Sequence, residues 1–389
     1  INSKNGGNMK IYDSVMCFVK VVLFSSLSFS IMAEDALTRQ IPCPRCKKDD
    51  CEYMVGVNLA GAEFAASVLP GIEGKNFGWP TAENLDYWKK NGVRLIRLPI
   101  LWERLQPELK KDFENIYCNK LKDTVKMIGD REMLVIIDVH NYAKYRGKAI
   151  GSEECPVDAF ADLWGRLAKM FNAKKGVWGY GLMNEPGKCD WVKAAQAAID
   201  AIRQYDRKTR IFIANDYAAW SATYAKGDLV EFIEKTLRIP DPTVLKDPSN
   251  MLRFELHTYF DHDNSGTYRK TYEEEVNRKD GPGHRVCPEI GIQRIKPFVE
   301  WLKKYNVKGF VGEYSAPANP DVDGRWLEIL DRTLSYMQEN CLPNTYWGAG
   351  IYWTPGNSYL IEPRGWKDSA DRIAQKDRPQ LIILKKYLK

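Results

Sequence analysis

The sequence predicts an α/β fold, a single (β/α)8 TIM barrel. Two observations carry that expectation. From Tyr53 onward, eight short runs rich in β-branched and aromatic residues alternate with amphipathic stretches, the pattern of repeated βαβ units around a parallel sheet. Polar and aromatic residues also gather where those runs end, on the rim where barrel enzymes build their sites. A length of 389 residues suits one large barrel carrying insertions.

The expected strands are 55–60, 93–99, 133–140, 177–184, 210–215, 252–259, 308–313 and 345–353. Between them, apolar residues recur at three- and four-residue spacing, which marks a helix with one buried face. The clearest helix is 158–171, with Phe160, Leu163, Trp164, Leu167 and Met170 on one stripe. Others are expected at 191–205, 292–305 and 326–337. Two stretches read as long loops: 238–250, with Pro240, Pro242 and Pro248, and 277–287. An open doubly wound sheet is the alternative. It favours a glycine-rich phosphate turn after the first strand, but 56–61 reads GVNLAG, and no Walker loop occurs.

The first 33 residues read as a leader. Met9 and Lys10 open it, and the apolar run 21–33 carries Ser25, Ser26, Ser28 and Ser30 before Ala33. That is the form of a signal peptide, Met9 to Ala33, too short and serine-rich to span a membrane as a helix. Residues 34–389 are then expected as one catalytic barrel domain, secreted, monomeric and not membrane-bound. Of the nine cysteines, Cys17 lies in the leader. The remaining eight are Cys43, Cys46, Cys51, Cys118, Cys155, Cys189, Cys287 and Cys341, an even number that suits disulfides in a secreted chain. Zinc at Cys43, Cys46 and Cys51 is the competing reading, but it needs a fourth ligand from a chain with four histidines. The net charge of +6 is spread along the chain, which argues against a nucleic-acid partner. Twelve Trp and 20 Tyr supply flat faces that suit both core packing and sugar stacking.

The rim residues define the chemistry. Arg97 lies near the end of the second strand, Asp138 and His140 end the third, and Asn184 and Glu185 end the fourth. His257 and Tyr259 end the sixth, Glu313 ends the seventh, and Trp347 is on the eighth. Strands four and seven end on opposite sides of a barrel mouth, so Glu185 and Glu313 are placed to flank a bond. Glycoside cleavage needs such a pair: one carboxylic acid to protonate the leaving oxygen, and a carboxylate on the other face of the sugar. Asn184 is placed for a sugar 2-hydroxyl. Tyr259, Arg97 and His140 are expected around Glu313. His140 and His257 with Asp138 raise a zinc reading, but no H-x-H or H-E-x-x-H occurs, and no catalytic metal or cofactor is expected. Trp79, Trp102, Tyr217, Trp220 and Trp353 are candidate cleft aromatics, or core. Glu63 and Asn58 either contact sugar hydroxyls or hold the barrel floor.

Taken together, these motifs resemble glycoside hydrolase family 5, the cellulase family, in its bacterial and fungal endoglucanase branch. The resemblance runs from about Val55 to Leu384. It rests on GVNLAGAEF at 56–64, RLPILWERLQP at 97–107, DVHNY at 138–142, GLMNEP at 181–186, HTY at 257–259, GFVGEY at 309–314 and WGAG at 347–350. It implies a retaining endo-β-1,4-glucanase acting on a β-linked polysaccharide, with Glu185 as acid/base and Glu313 as nucleophile. Arg97, His140, Asn184, His257, Tyr259 and Trp347 would form the supporting shell. The chain departs from the family at the longer 238–250 loop, and where the eighth strand continues Ala349-Gly350-Ile351-Tyr352-Trp353 in place of Ala-Gly-Pro-Trp-Trp. Mannan, xyloglucan, mixed-linkage glucan and xylan stay open as substrates, as does a non-catalytic carbohydrate-binding barrel. No binding module or linker is read, so soluble glucans are expected to be better substrates than crystalline cellulose.

Overall fold

The computed structural model describes residues 51–216, 228–278, 285–317, 323–353, 357–363 and 377–388. The expected leader, Cys43, Cys46, Tyr217 and Trp220 lie outside these residues, as does the middle of the expected 277–287 loop. The apolar runs form strands β1 (Val55–Leu59), β2 (Leu95–Ile100), β3 (Leu134–Val139), β4 (Val177–Gly181), β5 (Arg210–Ala214), β6 (Leu252–His257), β7 (Lys308–Glu313) and β8 (Asn344–Ala349). They pair in parallel in chain order, and β8 closes on β1. The expected closed barrel is therefore found.

Both faces of these strands are buried, so they read as nearly continuous apolar runs. Alternate side chains point to opposite faces. Leu95, Leu134, Ile136, Trp178, Phe212 and Phe310 pack into one cluster. Ile96, Leu98, Val135, Ile137, Ile211 and Ile213 belong to the larger core shared with the helices. Arg97 stands one alternate position beyond Leu95, and Asp138 one beyond Ile136. The inward face thus changes from apolar to ionic toward the carboxyl ends. At the opposite end, Glu52 accepts from Arg253 Nε at 2.7 Å and from Arg210 Nη2 at 3.0 Å.

The connecting helices are α1 (Ala82–Lys90), α2 (Asn115–Asp130), α3 (Val157–Phe171), α4 (Trp191–Arg203), α5 (Leu229–Lys235), α6 (Ile290–Tyr305), α7 (Arg325–Glu339) and α8 (Pro379–Lys385). The four helices expected from periodicity are α3, α4, α6 and α7. Phe160, Leu163, Trp164 and Leu167 of α3 are all buried, as their spacing requires. The others depend more on end signals. Thr81 Oγ caps α1 by accepting from Asn84 N, and the Glu114 carboxylate caps α2 by accepting from Ile116 N and Tyr117 N. Among the described residues no helix is long and apolar enough to cross a membrane.

Strand eight ends at Ala349, short of the expected 353. Gly350 turns the chain there at φ +121°, where a Cβ would meet Ala60 O at 2.2 Å. The expected disulfide bonding is found between Cys51 and Cys341, across 290 positions, while Cys118, Cys155, Cys189 and Cys287 are free among the described residues. An even count fixes neither pairing nor proximity. The 238–250 loop carries a short 3-10 turn, Pro242–Val244. It is tied back to β5, since Arg238 N donates to Asn215 O at 2.8 Å and Ile239 N to Asn215 Oδ1 at 2.7 Å.

Candidate active site

Parallel strands bring every expected site residue to one end of the barrel. Arg97 is the hub. It is fully buried on β2 and registers beside Asn58 of β1 and Ile136 of β3. Its Nη1 donates to Glu313 Oε1 at 3.0 Å and to Asn58 Oδ1 at 3.0 Å, and its Nη2 donates to Asn184 Oδ1 at 2.9 Å. Ion contacts to Asp138 Oδ1 at 3.0 Å and Glu255 Oε1 at 3.1 Å complete its surroundings. Burial alone would weaken the Arg97 charge, and these carboxylates hold it in place. Asn58 has no exposure. Its amide donates to Gly312 O at 2.9 Å, so it braces Arg97 rather than meeting a ligand.

Glu313, at the end of β7, is held from two sides. Arg97 takes one oxygen, and Tyr259 Oη donates to Oε2 at 2.6 Å. Burial, then the charges of Glu313 and Glu185, push the Tyr259 phenol well above its ordinary range, so it stays a donor. Glu185 lies four residues past the end of β4, at φ +35°. That left-handed conformation is unusual for a side chain larger than glycine and is typical of sites whose surroundings dictate the backbone. Glu185 Oε1 is 3.0 Å from His257 Nδ1, and the same nitrogen is 3.6 Å from Glu313 Oε2. Carboxylate oxygens of Glu185 and Glu313 and a ring nitrogen of His257 all fall within 4.8 Å of one another.

His257 Nε2 faces Glu255 Oε1 at 3.0 Å. Burial by itself would lower the histidine. The Glu313 charge and the hydrogen bonds to Glu185 and Glu255 override it and raise His257 well above its ordinary range. A protonated ring donates from both nitrogens, here toward Glu185 and toward Glu255.

His140 departs from expectation. It does not bond Glu313. Its Nδ1 pairs with Asp138 Oδ2 at 2.9 Å, its Nε2 is 3.4 Å from Tyr142 Oη, and its ring stacks on Trp347 at 5.5 Å and 7°. Burial opposes its protonation, but the Asp138 hydrogen bond and charge prevail and raise His140; burial likewise works to raise Asp138, and the Arg97 charge, then the His140 hydrogen bond, hold it low. Its part is to set the face of Trp347. Of the candidate cleft aromatics, Trp102 is core, packed on Tyr145 and Phe160, and Trp79 is buried against Tyr117. Trp353 is half-buried, with its ring edge-on to Trp347 and to Phe64. Glu63 accepts from Gly61 N at 2.8 Å, and burial pushes its carboxyl up to about 7.

Sequence reasoning missed Glu255 and Asp216, and gave Tyr142 no part beyond its place in DVHNY. Glu255 precedes His257 by two on β6 and so shares its inward face, a period-two signal that was available. Asp216 follows the apolar run of β5. It is fully buried, neither oxygen has a hydrogen-bond partner among the described residues, and burial raises it to about 7.

A family model described as "Cellulase (glycosyl hydrolase family 5)" matches residues 56–352. The chain is 28% identical over 309 residues to an endoglucanase of Neurospora crassa, covering 77% of this chain and 69% of that protein. It is 28% identical over 316 residues to endo-beta-1,4-glucanase B of Emericella nidulans, covering 80% and 86%. Among solved structures, the Pseudomonas stutzeri endoglucanase Cel5A in complex with cellobiose superposes with a TM-score of 0.73 at 36% identity, covering 86% and 92%. XacCel5A in complex with cellopentaose gives 0.72 at 33%, covering 87% and 99%.

Proposed function

Because the chain belongs to glycosyl hydrolase family 5, we propose that it is a retaining endo-β-1,4-glucanase in which Glu185 is the acid/base and Glu313 the nucleophile. The observation that carries this reading is the closeness of the two glutamates: one oxygen of Glu185 and one of Glu313 lie within 4.8 Å of each other beside His257, which suits the closer of the two carboxyl spacings that glycosidases use. Retaining glycosidases hold their carboxyls about 5–5.5 Å apart, whereas inverting ones leave about 6.5–9.5 Å for a water.

In the first step Glu185 gives its proton to the glycosidic oxygen while Glu313 attacks the anomeric carbon. Arg97 and Tyr259 fix the two Glu313 oxygens, which aims the carboxylate without rotation. The protonated His257 stabilises the carboxylate left on Glu185. Glu185 then takes a proton from a water whose oxygen attacks the anomeric carbon, the bond from that carbon to Glu313 breaks, and the sugar leaves with its configuration retained. Asn184 spends its oxygen on Arg97, so its amide N–H is the group offered to a 2-hydroxyl. Trp347, backed by His140, offers a stacking face for a sugar ring. The substrate is a β-1,4-linked glucan, the class that gives the Emericella nidulans endo-beta-1,4-glucanase its name. The signal-like segment and the Cys51–Cys341 disulfide support a secreted enzyme.

The test is hydrolysis of carboxymethylcellulose, β-glucan, mannan and xylan by wild type and Glu313→Ala, with the anomeric configuration of fresh products read by proton NMR. β-Configured products from glucans, and none from the variant, are expected. Wild-type rates in Glu313→Ala, or inverted products, would sink the assignment.

A further inference from the structure

Glu255 has no step in the reaction above, yet it touches both halves of it. It is sealed from solvent on β6. Its Oε1 lies 3.0 Å from His257 Nε2 and 3.1 Å from Arg97 Nε. His257 reaches Glu185 at 3.0 Å, and Arg97 reaches Glu313 at 3.0 Å. One carboxylate thus stands behind both proposed catalytic carboxyls, with a single side chain between in each direction. The neighbouring strand makes room for it. A Cβ on Gly312 would lie 1.9 Å from Glu255 Oε1 and 2.8 Å from His257 Nε2.

We propose that Glu255 is a positioning residue that holds His257 with an N–H aimed at Glu185 and Arg97 with its guanidinium aimed at Glu313. The proposal rests on the roles assigned above to Glu185 and Glu313. The groups facing the His257 ring are Glu185 from the loop after β4, Asp216 at the end of β5, Glu255 on its own strand and Glu313 on β7. Together these carboxyls keep the ring cationic despite its burial. A cationic ring stabilises the carboxylate that appears when Glu185 releases its proton. Removing the Glu255 charge loosens the ring proton, and the ring loses its charge at a lower pH.

Glu255→Gln keeps the shape of the side chain and removes that charge. On cello-oligosaccharides, kcat is expected to fall at least about tenfold, with KM changed less than about twofold, since a charged hydrogen bond is worth at least that factor. The alkaline limb of the kcat–pH profile is expected to move to lower pH. An aryl cellobioside whose leaving group needs no proton should lose less. Glu255→Asp, which keeps the charge, should recover part of the rate. Gly312→Ala displaces Glu255 without altering any ionisable group and should reproduce the kcat loss, should Glu255→Gln fail to fold. A kcat within about twofold of wild type, or an equal loss on both substrates with an unmoved alkaline limb, would overturn the proposal. Failure of the wild-type enzyme to cut any β-glucan would instead count against the hydrolase reading.

Discussion

At the amino end of the barrel, Glu52 should act as an acid-sensitive lock. It lies just before β1 and is gripped by Arg253, whose Nε and Nη2 donate at 2.7 Å each, and by Arg210 Nη2 at 3.0 Å. Burial works to raise its carboxyl, but the hydrogen bond to Arg253 and the charges of both arginines hold it at about 2, against an ordinary 4.5. A carboxyl held low in the folded state adds stability above its unfolded value and loses it as pH falls. That difference corresponds to roughly 3 kcal/mol at neutral pH. Breaking a buried pair by removing one partner costs about 3–5 kcal/mol, which agrees. Glu52→Gln should therefore lower the urea midpoint at pH 7 by the equivalent of roughly 3 kcal/mol. The gap from wild type should close between about pH 4.5 and pH 2, because wild-type Glu52 becomes neutral there too. Tryptophan fluorescence across a urea series at several pH values would measure it. A gap that stays constant from pH 7 to pH 3, or one below about 1 kcal/mol at pH 7, would refute the electrostatic account.

Three further outcomes follow from the geometry. Tyr259→Phe removes the 2.6 Å hydrogen bond to Glu313 and should cost about 10- to 100-fold in kcat on cello-oligosaccharides with little change in KM; steady-state kinetics within about twofold of wild type would contradict it. Replacing Cys51 and Cys341 together by Ser should cost about 2–5 kcal/mol in stability, since the bridge closes 290 positions, yet leave kcat at 25 °C unchanged because the bridge lies at the far end of the strands. Glu63 is raised to about 7, so the folded chain loses stability as pH rises from about 4.5 through 7 and the carboxyl is forced to ionise. Glu63→Gln escapes that loss, so its melting temperature relative to wild type should climb between pH 5 and pH 8; a difference that does not vary with pH would exclude an ionising Glu63 as the cause.

The barrel was legible in the sequence because its strands are short, β-branched and buried on both faces, while the α3 stripe of Phe160, Leu163, Trp164 and Leu167 repeats at helical spacing. The strand-end rule then gathered Arg97, Asn184, Glu185, His257, Tyr259 and Glu313 on one rim, since all eight strands run in one direction. Partners were another matter. Period two puts Glu255 and His257 on the same face, but nothing local says that Glu255 also meets Arg97, 158 positions earlier. His140 looked like a Glu313 ligand from its place at a strand end, and the register of β3 instead pairs it with Asp138 and Trp347. Eight cysteines suited disulfides, yet pairing depends on Cα separations that no spacing encodes; Cys51 and Cys341 stand 5.2 Å apart and are bonded, while Cys118, Cys155, Cys189 and Cys287 are free among the described residues. The sequence by itself determined which residues reach the rim, because periodicity and strand direction are local properties. Only the tertiary structure decided which of them touch, because closing the barrel sets distances between residues far apart in the chain.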